Sequence, residues 1–212
     1  MKKSLLILFA LISLNIFSQE RSKQIFESKN IIEKIAPHKL IAIIPFNAKI
    51  TYRKQPKNFS NEANKVQELS MSKNIQSSLY TFLLRKNNDY KVEFQDIDKT
   101  NILLNKAGVL DKLDQFTKDE IAKILGVDAI ISGDFFQEQS KGEGVAIASA
   151  ILFGGIGGKT GSGNLTLTIN NGSDGELLWR FFKTMDDNIM TSTDDLIERM
   201  MRKVSRNFPY KK

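Results

Sequence analysis

The 212-residue chain has no cysteine, a single histidine and a single tryptophan. Without cysteine there is no disulfide, no thiolate metal site and no cysteine nucleophile. No lipid can be joined to a cysteine behind an export signal either. With His38 as the only histidine and no cysteine, a zinc site of ordinary composition cannot be assembled. His38 stands between Pro37 and Lys39 at the start of an apolar run, where a plain surface residue is expected. After residue 17 there is no long apolar stretch, and a spanning helix needs roughly 20 apolar residues.

What the chain does have begins at its first residues. Lys2 and Lys3 precede an apolar run over residues 5–17, interrupted only by Ser13 and Asn15, and Ser18, Gln19 and Glu20 follow. A basic start, a short apolar core and a small residue before polar ones form a cleavable export signal, with cleavage expected near Ser18. The mature protein is then expected in the periplasm or outside the cell, without a lipid anchor. The remaining chain is long enough for one domain with a real core. Lys2 and Lys3 leave with the leader and no acid does, so 31 basic against 24 acidic residues become 29 against 24, a net +5. That excess suits an acidic partner or an anionic surface. The lysines are scattered among acids and form no stripe, which argues against nucleic acid.

Periodicity divides the chain into a leader (1–18), a polar, partly helical segment (19–38) and an α/β domain (39–212). Residues 40–44, LIAII, form a continuous apolar run closed by Pro45, the pattern of a strand buried on both faces. A polar loop through Pro56 is expected next. A helix over about 62–85 carries Met71, Ile75, Leu79 and Phe82 as its buried stripe. Tyr90, Val92 and Phe94 alternate with polar residues as a half-buried strand. Asp98 is placed to cap a short helix ending at Gly108. Thr117 and Glu120 form a capping box for a helix that ends at Gly126. A strand over 127–136 follows. Then come an insert (142–164) and a hairpin, in which Leu165, Leu167 and Ile169 alternate with threonines and the turn carries Gly172 and Gly175. A last helix from about Thr193 buries Ile197, Met200, Met201 and Val204. The order describes one α/β domain, a mixed sheet flanked by helices with a C-terminal hairpin followed by a helix.

Three stretches resemble a known group. They are residues 40–46 (LIAIIPF), residues 117–133 (TKDEIAKILGVDAIISG) and residues 174–179 (DGELLW). Together they resemble a superfamily of bacterial envelope proteins. It includes the periplasmic domain of the curli secretion channel, the outer-membrane activator of penicillin-binding proteins and the amino-terminal domain of the Tol-Pal translocation propeller protein. The resemblance spans residues 39–208. It implies an α/β envelope domain that binds other proteins and catalyses nothing. The channel and the activator are lipoproteins, and this chain departs from them in having no cysteine to carry a lipid.

The glycines at 154–158, followed by Lys159 and Thr160, come near a phosphate loop and miss it. The pattern G-x-x-x-x-G-K-[ST] needs glycine at position 153, which is Phe153, and a helix afterwards where the residues alternate like a strand. The dinucleotide pattern fails at Thr160, so no cofactor is expected. Just before, Val145, Ile147, Ile151 and Phe153 alternate with Ala146, Ala148, Ala150 and Leu152. Such a segment is either a core strand or short helix with a glycine tail, or a hairpin that touches a partner or membrane. On the second reading Val145, Ile147, Ile151, Phe153, Ile156 and Lys159 are the contact residues. The acidic pairs Asp186/Asp187 and Asp194/Asp195 are neighbours that point apart in a strand and favour the dipole at a helix start. Asp128 and Asp134 read as cap and turn residues, and Trp179 as core.

The sequence therefore describes a non-enzymatic exported envelope protein, an accessory domain that binds another envelope protein or complex. The alternative is a subunit of an outer-membrane secretion or pore complex that inserts residues 144–161.

Overall fold

A computed structural model describes residues 23–139, 163–185, 199, 201, 202, 204 and 207–212. Among these residues seven strands form one mixed sheet: β1 (Lys23–Glu27), β2 (Leu40–Ile43), β3 (Asn47–Tyr52), β4 (Glu93–Phe94), β5 (Ala129–Gln139), β6 (Gly163–Asn171) and β7 (Leu177–Met185). Their order is β1-β7-β6-β5-β2-β4, with β3 also paired to β5. The helices are α1 (Ile31–Ile35), α2 (Asn61–Arg85), α3 (Ile97–Lys106) and α4 (Lys118–Leu125). Among the described residues no helix is long and apolar enough to cross a membrane.

β5 is the axis of the sheet, and β2 and β3 lie one after the other along the same side of it. Ile41–Ile43 pair in parallel with Ala129–Ile131, and Asn47–Tyr52 pair in parallel with Asp134–Gln139. Pro45 lies in the gap, where it has no N–H to give a ladder. The carbonyls on either side are taken by α2 instead. Gln76 Nε2 donates to Ile43 O at 2.7 Å, and Ser72 Oγ donates to Phe46 O at 2.5 Å. Gly133 lets the Phe46 ring into the gap: a Cβ there would stand 2.6 Å from Phe46 Cε1 and press on Thr166 O.

Residues 40–44 split by parity, as a strand buried on both sides must. Ile41 and Ile43 join a first-face core with Ile131, Phe135, Leu167, Trp179 and Phe181, covered by α2 and by Met201, Val204 and Phe208. Ala42 and Ile44 join a second-face core with Ile130, Leu104 of α3, and Ile121 and Leu125 of α4. Met71, Ile75, Leu79 and Phe82 of α2 are all buried, as their spacing predicts.

The caps follow local chemistry. Thr117 and Glu120 close the capping box of α4, and Gly126 takes φ 65° at its end. One cap differs from expectation. Asp96, and not Asp98, accepts from Lys99 N at the start of α3, because helix begins at Ile97. Ser60 caps α2 by accepting from Ala63 N.

Three segments correct the sequence reading. The polar segment 19–38 contains strand β1 as well as helix α1. The stretch after Pro45, expected as loop, contains β3, whose Ala48 and Ile50 alternate inward. Tyr90, Val92 and Phe94 are all buried, yet only Glu93 and Phe94 are strand, and Tyr90 makes a lone bridge to Lys211.

Candidate interaction surface

Val145, Ile147, Ile151, Phe153, Ile156 and Lys159 lie outside the described residues, as do the glycine run and the acidic pairs at 186–187 and 194–195. What is described is where their segment starts and returns. Gln137 stands opposite Gly163, so residues 140–162 leave and rejoin one end of the β5–β6 ladder.

His38 is not a surface residue. It is 7% exposed, and its Nδ1 lies 2.7 Å from the Tyr210 hydroxyl. The chain's last residues turn back over the strand entrance, with Phe208 and Tyr210 buried. Burial lowers the His38 pKa, opposed by a hydrogen bond with Asn171 and by the Asp128 charge. Burial also raises the Tyr210 hydroxyl, with Asp128 adding to it, and pushes Tyr90 up to about 12. Asp128 accepts from the backbone N–H groups of Lys39 and Leu40 at 2.7 and 2.9 Å, so it does cap the start of β2. The cluster pairs the His38 imidazole with the Tyr210 phenol in a buried contact. It fastens the tail. Among the described residues, no group of three or more His, Asp or Glu is placed to hold a metal ion.

The second face of the sheet differs. Helices α3 and α4 pack over β2 and the start of β5, α4 also meets β6, and Ser132 and Thr166 farther along this face are buried. Beyond them the register sets out three rungs. The first holds Phe26, Arg180, Thr168 and Ser132, and the second Gln24, Phe182, Thr166 and Asp134. The third holds Thr184, Asn164, Phe136 and Lys49. Phe26 is 48% exposed and Phe136 45% exposed, with Phe182 half-buried between them. The aromatic positions reach from β1 to β5, roughly 14 Å at ordinary strand spacing. Arg180 is exposed and forms no ion pair among the described residues.

The polar groups of this face are held in place. Asn47 Nδ2 donates to Asp134 at 2.9 Å, the Ser132 and Thr168 hydroxyls lie 2.9 Å apart, and Arg53 meets Glu138 at 2.8 Å. Asp134 is thus a strand-face residue, correcting its reading as a turn residue, because β5 runs on to Gln139. Lys118 leans over it: burial lowers the amine's pKa and the Asp134 charge opposes this. Trp179 is fully buried, as expected.

The sequence carried a signal for these aromatics. Phe135-Phe136 and Phe181-Phe182 are adjacent pairs inside strands, and strand parity must send one ring of each pair to either face. Phe135 and Phe181 enter the first-face core, so Phe136 and Phe182 face away from it.

No protein-family model matches the chain, and no curated protein matches it. Among solved structures it is similar to lipoprotein GNA1162 from Neisseria meningitidis, at 10% identity, over 80% of this chain and 95% of that one, with a TM-score of 0.46. It is also similar to a PelC L103M dodecamer from Paraburkholderia phytofirmans, at 11% identity, over 90% and 99%, with a TM-score of 0.39. A third is the LpoB C-terminal domain from Salmonella enterica, at 11% identity, over 74% and 93%, with a TM-score of 0.35. No activity, partner or assembly follows from likenesses this distant.

Proposed function

We propose that this chain is an exported, non-enzymatic envelope protein that works by binding another envelope protein through the part of the second sheet face where Phe26 and Phe136 are exposed. The observation that carries this reading is the second face, where Phe26 and Phe136 are exposed, Phe182 is half-buried, and the exposed Arg180 forms no ion pair among the described residues. Aromatic residues and arginine are the groups that anchor protein interfaces. The partner that fits them presents apolar side chains with a carboxylate opposite Arg180. Residues 144–161, which start and end at the Phe136 end of the face, supply a second contact. Export with cleavage near Ser18 and no lipid anchor places the protein in the periplasm or outside the cell, free to meet such a partner.

The test is cross-linked capture of the tagged mature protein from its native cell envelope, beside two variants. One carries Phe136→Ser and Arg180→Glu; the other lacks residues 144–161. Exposed positions of this kind leave stability within about 0.5 kcal/mol each, so both variants are first checked for an unchanged melting temperature. Loss of one specific partner with the double variant supports the open face, and further loss with the deletion supports the insert. Capture of the same partner at the same yield by all three would overturn the reading.

A further inference from the structure

Three strands reach an edge of the sheet, and two of those edges are closed. At β3, Ile50 N–H donates to Glu68 Oε1 at 3.0 Å and Ile50 O accepts from Asn64 Nδ2 at 3.2 Å, so side chains of α2 occupy the edge. β4 is two residues long, and its approach is paired with the end of the chain, where Lys91 N–H donates to Tyr210 O at 2.9 Å. β1 is the exception. It pairs with β7 on one side, and no described residue pairs with the other.

The parity of its free groups can be read directly. Ser28 N–H donates to Leu178 O at 2.8 Å and continues the register that sets Phe26 against Arg180 and Gln24 against Phe182. In an antiparallel ladder this turns the backbone groups of Gln24 and Phe26 toward β7 and those of Lys23, Ile25 and Glu27 outward. An open edge is a template for another strand, which proteins ordinarily block.

We propose that a second copy of this chain occupies the edge, with β1 pairing antiparallel to β1 of the other copy about a twofold axis at Ile25. The strand sequence is Lys-Gln-Ile-Phe-Glu. In that pairing Lys23 meets Glu27 of the other copy at both ends, Ile25 meets Ile25, and Gln24 meets Phe26. Opposite charges in register favour a strand pair, and like charges oppose it. The hydrogen-bonding parity agrees, since Ile25–Ile25 and both Lys23–Glu27 pairings fall on positions whose N–H and C=O point outward. A register shifted either way sets Lys23 or Glu27 against Ile25, or against its own counterpart. On the second face the two Phe26 rings, each 48% exposed in one chain, become diagonal neighbours. Among the described residues each chain offers one such edge, so the pairing closes at a dimer with a continuous sheet.

This inference does not depend on the open face binding a partner, and it is tested on the purified mature protein alone. Sedimentation equilibrium gives the mass across concentrations for the wild type, Lys23→Glu, Glu27→Lys and the double swap. The wild type is expected at twice the mass of one chain. Each single reversal sets like charges opposite at both ends of the twofold pairing and weakens the dimer roughly tenfold or more, while the double swap restores it. Unchanged melting behaviour at low concentration shows that the variants are folded. A wild type that stays single-chain at every concentration overturns the proposal. A dimer that neither single reversal weakens, or that the double swap fails to restore, overturns it equally.

Discussion

The two faces of the sheet are built from the same strands and end in opposite conditions. On the first, every described strand sends apolar side chains under α2 and the chain's last residues, and Trp179, Phe135 and Phe181 have no exposed surface. On the second, α3 and α4 pack over β2, the start of β5 and part of β6, while Phe26 and Phe136 stay about half exposed. Since residues alternate between the faces, the difference lies in what covers them and not in strand propensity. The first face holds the larger apolar core, and on the proposed reading the exposed part of the second carries recognition.

The largest expected effect breaks the first face. Trp179→Ala removes a fully buried indole that stacks on Phe181 and meets Phe208 edge-on. It should cost about 3–5 kcal/mol in denaturant unfolding, against a near-zero change for Phe136→Ser on the other face of the same sheet. A comparable loss for the two would end the distinction. A smaller effect is expected at the gap between β2 and β3. Gln76→Ala strands the buried Ile43 carbonyl and Asn101, and should lower stability by about 1–3 kcal/mol without changing the unfolding slope.

The smallest effect is at His38, where it depends on pH. Burial lowers the folded pKa below the ordinary 6.5, so the unfolded chain binds the proton more readily. Stability from the neutral imidazole is therefore complete above about pH 6.5 and is lost as pH falls below it. The melting temperature should drop between pH 7 and pH 5. His38→Gln, which cannot titrate and keeps a polar group toward Tyr210, should flatten that slope. An equally steep slope in the variant would assign the acid sensitivity to other groups.

Much of the local structure was legible in the residues themselves. The stripe on α2, the Thr117–Glu120 capping box and the left-handed Gly126 all depend on neighbours a few positions away, and all stand where the periodicity places them. The inward residues of the hairpin followed from strict alternation. The second face was legible only in part. The Phe-Phe pairs announce one outward ring each, but not whether a helix will cover it.

Where the sequence reading departed from the structure, the missing partner was distant in the chain. β1 has five residues and weak alternation, and it is strand because Lys23–Glu27 lie along positions 183–179 of β7. Two inward residues in β3 were too few to outweigh the flanking Pro45 and Pro56, and it is parallel pairing with Asp134–Gln139 that makes it a strand. His38 next to a proline looked exposed, and Tyr210, 172 positions later, covers it. Taken alone, the sequence determined helix ends, strand parity and the composition of the core, because those depend on contacts within a few residues. Which edges were closed and which part of a face stayed exposed was decided only by the tertiary structure, since both depend on where distant elements pack.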